Sequence, residues 1–163
     1  MEEWKALQDY PNLFVSNLGR VKKGERLLNM RKDGNGYNVT GYSNNGKTTT
    51  LRVSRITAKT FIDNPEQKPQ VDHINGIRDD NRIENLRWVT RSQNQYNTKV
   101  RKHNRVGLKG VSVDQDKKSN KYQARIIIEG KQKNIGWFST PEEAHEAYVA
   151  KARELHGEYF NEG

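Results

Sequence analysis

Asp72 and His73 stand side by side near the middle of the chain, with Asn81, Asn85 and Asn94 spaced out behind them. In an extended backbone, adjacent side chains point to opposite faces. One of the pair can then hold a metal ion while the other faces a substrate. Neutral imidazole is the side chain best suited to take a proton from water at about pH 7. A divalent cation supplies charge neutralisation at a phosphate and at its leaving oxygen. A carboxylate with carboxamide oxygens is a hard donor set. It suits Mg²⁺ or Mn²⁺, completed by water and phosphate, more than a tightly held zinc. The chemistry these residues fit is phosphodiester hydrolysis.

The elements around the pair must be short. Residues 71–73 read as extended, and Asn75-Gly76 is a turn signal. A polar loop runs through Asp79, Asp80, Asn81 and Arg82, and Leu86-Arg87-Trp88-Val89 is a second apolar run. Thr90 reads as a helix N-cap, with Gln93 completing a capping box. The pattern is strand, loop, strand, helix. Asn94 falls in the first turns of that helix, placed to face back towards Asp72.

Asp-His-Ile-Asn-Gly at 72–76, Asp-Asn-Arg at 80–82, Asn-Leu at 85–86, Val-Thr at 89–90 and Asn94 resemble the HNH nuclease motif. The likeness is to its phage and intron homing-endonuclease form. It implies a ββα-metal fold and cleavage of double-stranded DNA. It implies Asp72 and Asn94 as ligands of one Mg²⁺ or Mn²⁺ per active site, with His73 as general base. It also implies Asn85 as the asparagine that braces the loop, completing a catalytic set of His73, Asp72, Asn85 and Asn94. Many relatives carry histidine at the Asn94 position. Asn81 reads as holding the loop, without a catalytic role. An isolated Asp-His pair would be ordinary loop sequence; the spacing of the three asparagines favours a nuclease centre.

Composition sets the bounds. Only 32% of the 163 residues are hydrophobic and the mean hydropathy is −1.09, which argues for small modules instead of one large core. A net charge of +9 and a pI near 9.7 favour a polyanionic partner. With no cysteine, disulfides, zinc ribbons and thiol catalysis are excluded. His73, His103, His145 and His156 are too scattered for a zinc cluster by spacing. No apolar run has membrane-spanning length, and MEEWKALQDY is no signal peptide. The expected location is intracellular, by resemblance the cytoplasm of a phage-infected bacterium, with no membrane partner.

The expected fold class is α+β, in four segments. Residues 1–66 form a strand-rich module, with a strand at Leu13–Ser16, a turn at Asn17–Gly19 and a second strand from Arg20. Trp4, Tyr10, Phe14 and Val21 are its expected minimal core. The pattern Trp4, Tyr10-Pro11, Val15-Ser16-Asn17, Gly19-Arg20-Val21 resembles the small module found ahead of HNH motifs. A hairpin turn follows at Asn44–Lys47, then a helix over Val53–Phe61 that ends before Asn64-Pro65. Relatives commonly carry a histidine where Ser54 stands, so this helix reads as packing. Arg20, Arg52 and Arg55 are candidate phosphate contacts. Residues 67–98 are the nuclease motif. Residues 99–109 read as a basic linker whose Arg101, Lys102 and Arg105 track DNA.

Residues 110–163 alternate as three strands and end in a helix capped by Thr140-Pro141-Glu142-Glu143 and stopped by Gly157. Ala144, Ala147, Tyr148, Ala152 and Leu155 are its expected buried face. GVSV, YQARI, IGWFSTPEEAHEAY and LHGEYFN resemble the plant ethylene-response (Apetala-type) DNA-binding domain. That implies a three-stranded antiparallel sheet on one helix, with Ser112, Asp114, Lys121, Gln123, Arg125, Gln132 and Asn134 towards DNA. The plant domains use more arginine and tryptophan on that face, so no target sequence carries over. The sequence reads as a site-specific HNH homing endonuclease, monomer or homodimer on DNA. Two other classes compete: a DNA-binding regulator with a nuclease-like core and no cleavage, and an RNA-binding protein. A sheet reading a major groove favours DNA, because the RNA major groove is too deep and narrow.

Overall fold

Period-two alternation builds the first sheet of the computed structural model, which describes residues 1–98, 100, 103–114, 121–128 and 130–162. Strands β1 (Trp4–Ala6), β2 (Leu13–Ser16), β3 (Val21–Lys23) and β4 (Arg26–Leu27) pair antiparallel in that order. Leu13 and Val15 point inward and are fully buried, so Phe14 between them faces the other way. The expected core of Trp4, Tyr10, Phe14 and Val21 is therefore corrected. Trp4 and Phe14 are only half-buried, and Lys22 Nζ sits over both rings at 5.0 and 5.4 Å. The core is Leu7, Leu13, Val15, Val21, Tyr42, Leu51, Val53 and Ile56, with Tyr10 packed against it. Each fully buried Leu or Val of this kind contributes about 1.5–3 kcal/mol.

A second sheet follows: β5 (Arg31–Lys32), β6 (Asn38–Asn44) and β7 (Lys47–Arg52). Asn45 and Gly46 both take positive φ, 48° and 75°, the conformation a two-residue hairpin turn requires. Helix α1 (Val53–Phe61) has the expected bounds and buries Val53, Ile56 and Ala58. It packs against the next hairpin, β8 (Gln70–His73) with β9 (Leu86–Val89), in which Asp72 lies opposite Arg87 and His73 opposite Leu86. A 3-10 turn at Ile83–Asn85 leads into β9, and Trp88 Nε1 donates to the carbonyl of Ile62 at 3.0 Å.

Contacts divide the chain into two units, Met1–Thr90 and Arg91–Gly163. The four segments read from sequence are thus gathered into two, and the motif 67–98 spans the junction. In the second unit, α2 is a short helix, Arg91–Tyr96. Strands β10 (Val111–Val113), β11 (Tyr122–Ile128) and β12 (Lys131–Phe138) form an antiparallel sheet, backed by α3 (Pro141–His156). The capping box at Thr140 and Glu143 is present, and Gly157 closes the helix at φ 50°. Ala144, Tyr148 and Ala152 recur every four residues as the buried stripe against Val111, Ala124 and Ile126. Leu155 lies off that stripe and is exposed, which corrects its placement in the core. The linker reading is corrected for its last part: Val106 and Leu108 pack on this core.

The first unit holds its loops tightly at Gly19. Its φ is +75°, and a Cβ there would lie 2.5 Å from Asn81 Cβ and 2.8 Å from the Asn81 carbonyl oxygen. Asn17 O accepts from Ile83 N at 2.9 Å beside it. Gly19→Ala adds backbone strain and a clash with backbone, so a loss of about 1–3 kcal/mol is expected in urea unfolding.

Candidate active site

The β8–β9 hairpin and its loop assemble a polar cluster inside the first unit. Asp72 and His73 close β8, and both are buried, at 6% and 4% exposure. Asn81 and Asn85 are buried beside them, at 3% and 6%. His73 Nε2 is 3.1 Å from Asn81 Oδ1. An amide oxygen only accepts, so in a neutral ring so placed Nε2 carries the proton and the basic lone pair is on Nδ1. The Asn81 amide nitrogen donates in turn to the Asp79 carbonyl at 3.3 Å. Asn81 thus bonds the imidazole directly, a role its sequence position alone did not reveal.

Asn85 acts as a brace. Its oxygen accepts from Asn75 N at 2.9 Å, and its nitrogen donates to the Asp80 carbonyl at 2.8 Å. Ile74 N donates to the Asn85 carbonyl at 2.9 Å, which ties the loop's first and last residues. Asn75 Oδ1 accepts from Ile77 N at 2.8 Å, the turn that the Asn-Gly pair signalled. Both side-chain contacts of Asn85 are therefore to backbone, at the two ends of the loop.

Asp72 meets a partner the sequence reading did not assign. Arg87, directly across the hairpin, reaches Asp72 Oδ2 through Nε at 3.0 Å and through a terminal nitrogen at 2.9 Å. Both side chains are largely buried, at 14% and 7% exposure. Register is the only signal for this pair. It becomes visible once β8 and β9 are aligned, not before. Tyr37 was also missed: its ring lies 5.8 Å from that of His73, with Arg52 at 4.2 Å and Arg78 at 5.1 Å over the same ring.

Asn94 is on α2, which belongs to the second unit. The first unit brings Asp72, His73, Asn81 and Asn85 together. Among the described residues no three His, Cys, Asp or Glu side chains converge on one point. A single hard carboxylate with amide oxygen fits a Mg²⁺- or Mn²⁺-type ion that keeps water and phosphate as ligands.

The candidate DNA contacts vary in availability. Arg20 pairs with Glu2, and Arg52 with Asp33 at 2.9 Å. Arg55 donates to the Pro69 carbonyl at 2.5 Å and lies over Trp88. The Tyr37 backbone N–H, ahead of Asn35 N–H and the Arg52 guanidinium, holds the Asp33 carboxyl below its ordinary range. Arg101 and Lys102 lie outside the described residues, and Arg105 is exposed. On the sheet of the second unit, Gln123, Arg125 and Ile127 face away from the Ala124–Ile126 core. Arg125 donates to Ser112 Oγ at 2.5 Å, and with the Gln132 carboxamide turned to accept, to its oxygen at 2.8 and 3.0 Å. Gln123 donates to Asn134 Oδ1 at 3.2 Å, and Lys121, just before β11, is exposed. Trp137, opposite Gln123, is 46% exposed, and alternation along β12 would have found it.

The comparisons with known proteins agree with the hairpin. The HNH endonuclease family matches residues 64–96, and the NUMOD4 motif matches residues 2–53. DNA endonuclease I-HmuI of Bacillus phage SP01 is 37% identical over 131 residues, 77% of this chain and 71% of that protein. Two uncharacterized HNH endonucleases of Acanthamoeba polyphaga mimivirus, L245 and L247, are 33% and 36% identical, over 54% and 57% of this chain. The chain spans about a quarter of their length, 27% and 25%. A solved structure described as DNA binding and cleavage by the HNH homing endonuclease I-HmuI superposes with a TM-score of 0.53 at 36% identity. That match covers 57% of this chain and 55% of that one. This chain belongs to the HNH endonuclease family.

The loop's acid sensitivity follows from Asp80. Its side chain accepts from Arg82 Nε and a terminal nitrogen, both at 2.8 Å, and from Asn75 Nδ2 at 2.8 Å. The Arg82 bonds, followed by that of Asn75, outweigh desolvation and lower its carboxyl to about 2. The folded state therefore favours the charged form. That stabilisation is complete above the ordinary carboxyl range, about 3.9, and is lost as pH falls towards about 2. Asp80→Asn should be less stable than wild type at neutral pH and should flatten the acid slope of the thermal midpoint between those values.

Proposed function

We propose that this chain is a site-specific homing endonuclease that hydrolyses phosphodiester bonds in double-stranded DNA at a ββα-metal centre. The observation that carries the reading is the buried Asp72-His73 step, with the His73 ring held on Asn81 at 3.1 Å. His73 takes the proton of the attacking water through the nitrogen that Asn81 does not bond. Asn81 fixes the tautomer and the angle of the ring, and Asn85 fixes the loop that carries Asn81. Asp72 would hold the divalent cation, Mg²⁺ or Mn²⁺, with Asn94 as the second ligand that the family motif implies. When bound, the cation neutralises charge at the scissile phosphate and the leaving oxygen. Arg52 and Arg78, stacked on Tyr37 beside His73, suit the DNA backbone.

The second unit supplies recognition. Its three strands and one helix support the likeness to the ethylene-response type of DNA-binding domain, with the outward sheet face as the reading surface. Arg125 bonds both Ser112 and Gln132 there, and Gln123 bonds Asn134, which holds these polar side chains on that face. The likeness to I-HmuI of a Bacillus phage supports a double-stranded DNA substrate and work inside an infected host. One nuclease motif per chain cuts one strand, so a monomer nicks and a paired assembly linearises.

Plasmid cleavage tests this. Nicked or linear product should require Mg²⁺ or Mn²⁺ and vanish on chelation. His73→Ala should cut activity by roughly 10²–10⁴ with duplex binding retained. Tight DNA binding without cleavage, on plasmids carrying varied genomic targets, would put the regulator reading in its place. Arg125→Ala should weaken duplex binding by about 1–3 kcal/mol in a fluorescence titration while leaving the first unit's melting unchanged.

A further inference from the structure

We infer that Arg87 holds the charge of Asp72 in balance, so that a divalent cation settles in this centre only together with a DNA phosphate. The inference rests on Asp72 as a metal ligand, as proposed above. The pair is built into the hairpin: Asp72 and Arg87 are register partners across β8 and β9, and two guanidinium nitrogens converge on Asp72 Oδ2 at 2.9 and 3.0 Å. The pair is buried, so solvent screens it little.

Charge counting gives the consequence. Asp72 and Arg87 together are neutral. No group of three or more His, Cys, Asp or Glu side chains that could hold a metal is present among the described residues. An incoming divalent cation meets one carboxylate already engaged by a fixed cation, and like charges at such separations repel strongly at the low effective dielectric of a buried site. A phosphate diester brings the missing negative charge and further oxygen ligands. By linkage, phosphate that favours the metal is favoured by it to the same degree. Arg87 is then a positioning residue that couples metal loading to substrate. The free protein stays nearly metal-free, which keeps the centre idle away from DNA.

The test uses the full chain and Mn²⁺ alone, counting free Mn²⁺ by electron paramagnetic resonance. Wild type without DNA should bind Mn²⁺ weakly. Arg87→Met and Arg87→Gln should each bind it at least about tenfold more tightly, since the opposing charge is gone. Arg87→Lys should stay close to wild type. Adding Asp72→Asn to either neutral variant should abolish the gain. Adding duplex DNA, after subtracting the Mn²⁺ that DNA binds by itself, should tighten wild type far more than Arg87→Met. Two neutral variants are used because one can fail to fold, and thermal melting identifies which is usable. Wild type binding Mn²⁺ as tightly as the neutral variants would overturn the inference. Plasmid cleavage by Asp72→Asn separates the two readings. If that variant still cuts with metal, Asp72 is no ligand and the proposed centre itself falls. If it is inactive and Arg87→Met shows no gain, only the role of Arg87 falls.

Discussion

The loop between β8 and β9 rests on one buried carboxamide. Asn85 accepts from the backbone of Asn75 and donates to the backbone of Asp80, so one side chain closes the loop from both ends. Unpaired, each of those buried groups would cost about 1–3 kcal/mol. With the loop closed, Asn81 is delivered to His73, and its own amide is anchored on Asp79. The first sheet then reaches the same loop through Asn17 and Gly19, and the second through Asn38 and Lys32, which contact Asp79. The site is therefore a loop clamped from three directions, and the N-terminal sheets are part of the clamp.

Charge is distributed with the same economy. A chain of net charge +9 invites the expectation of free cations near the scissile position. Around this hairpin several are instead paired: Arg52 meets Asp33, Lys32 meets Asp79, Arg82 meets Asp80 and Arg87 meets Asp72. Such pairs add little stability where exposed, but they fix where each side chain points. The pairings thus decide which of the chain's many cations are already held by a carboxylate.

Much of this was legible in the sequence because local rules dominate locally. The strand, loop, strand order, the bounds of α1, the Asn45-Gly46 turn and the Thr140 capping box each depend on neighbours within a few residues. What escaped depends on register or on distant packing. Phe14 was placed in the core although period two assigns that face to Leu13 and Val15. Leu155 was counted on the buried face of α3 although the four-residue stripe passes it by. Arg87 becomes the partner of Asp72 only through the pairing of two strands separated by a twelve-residue connection, 74–85. Asn81 looked like a loop asparagine, which it is. That its oxygen meets an imidazole depends on the path of the whole loop.

Helix α2 has a consequence for how such proteins recombine. The ring of Tyr96 stacks on His156 with centroids 3.5 Å apart and planes within 11°. Its carbonyl accepts from Lys109 Nζ at 2.9 Å and from Asn161 N at 3.4 Å. Desolvation by burial lowers the Lys109 ammonium to about 8, even though the Tyr96 and Asn161 carbonyls accept its protons. The helix that completes the nuclease motif in sequence is thus sewn to the chain's far end. A chimaera joined after Asn97, where the motif seems to finish, would tear α2 from the residues that seat it. Exchange at the Thr90–Arg91 step keeps helix and seat together, and a transplanted second unit would bring its own copy of this helix with it.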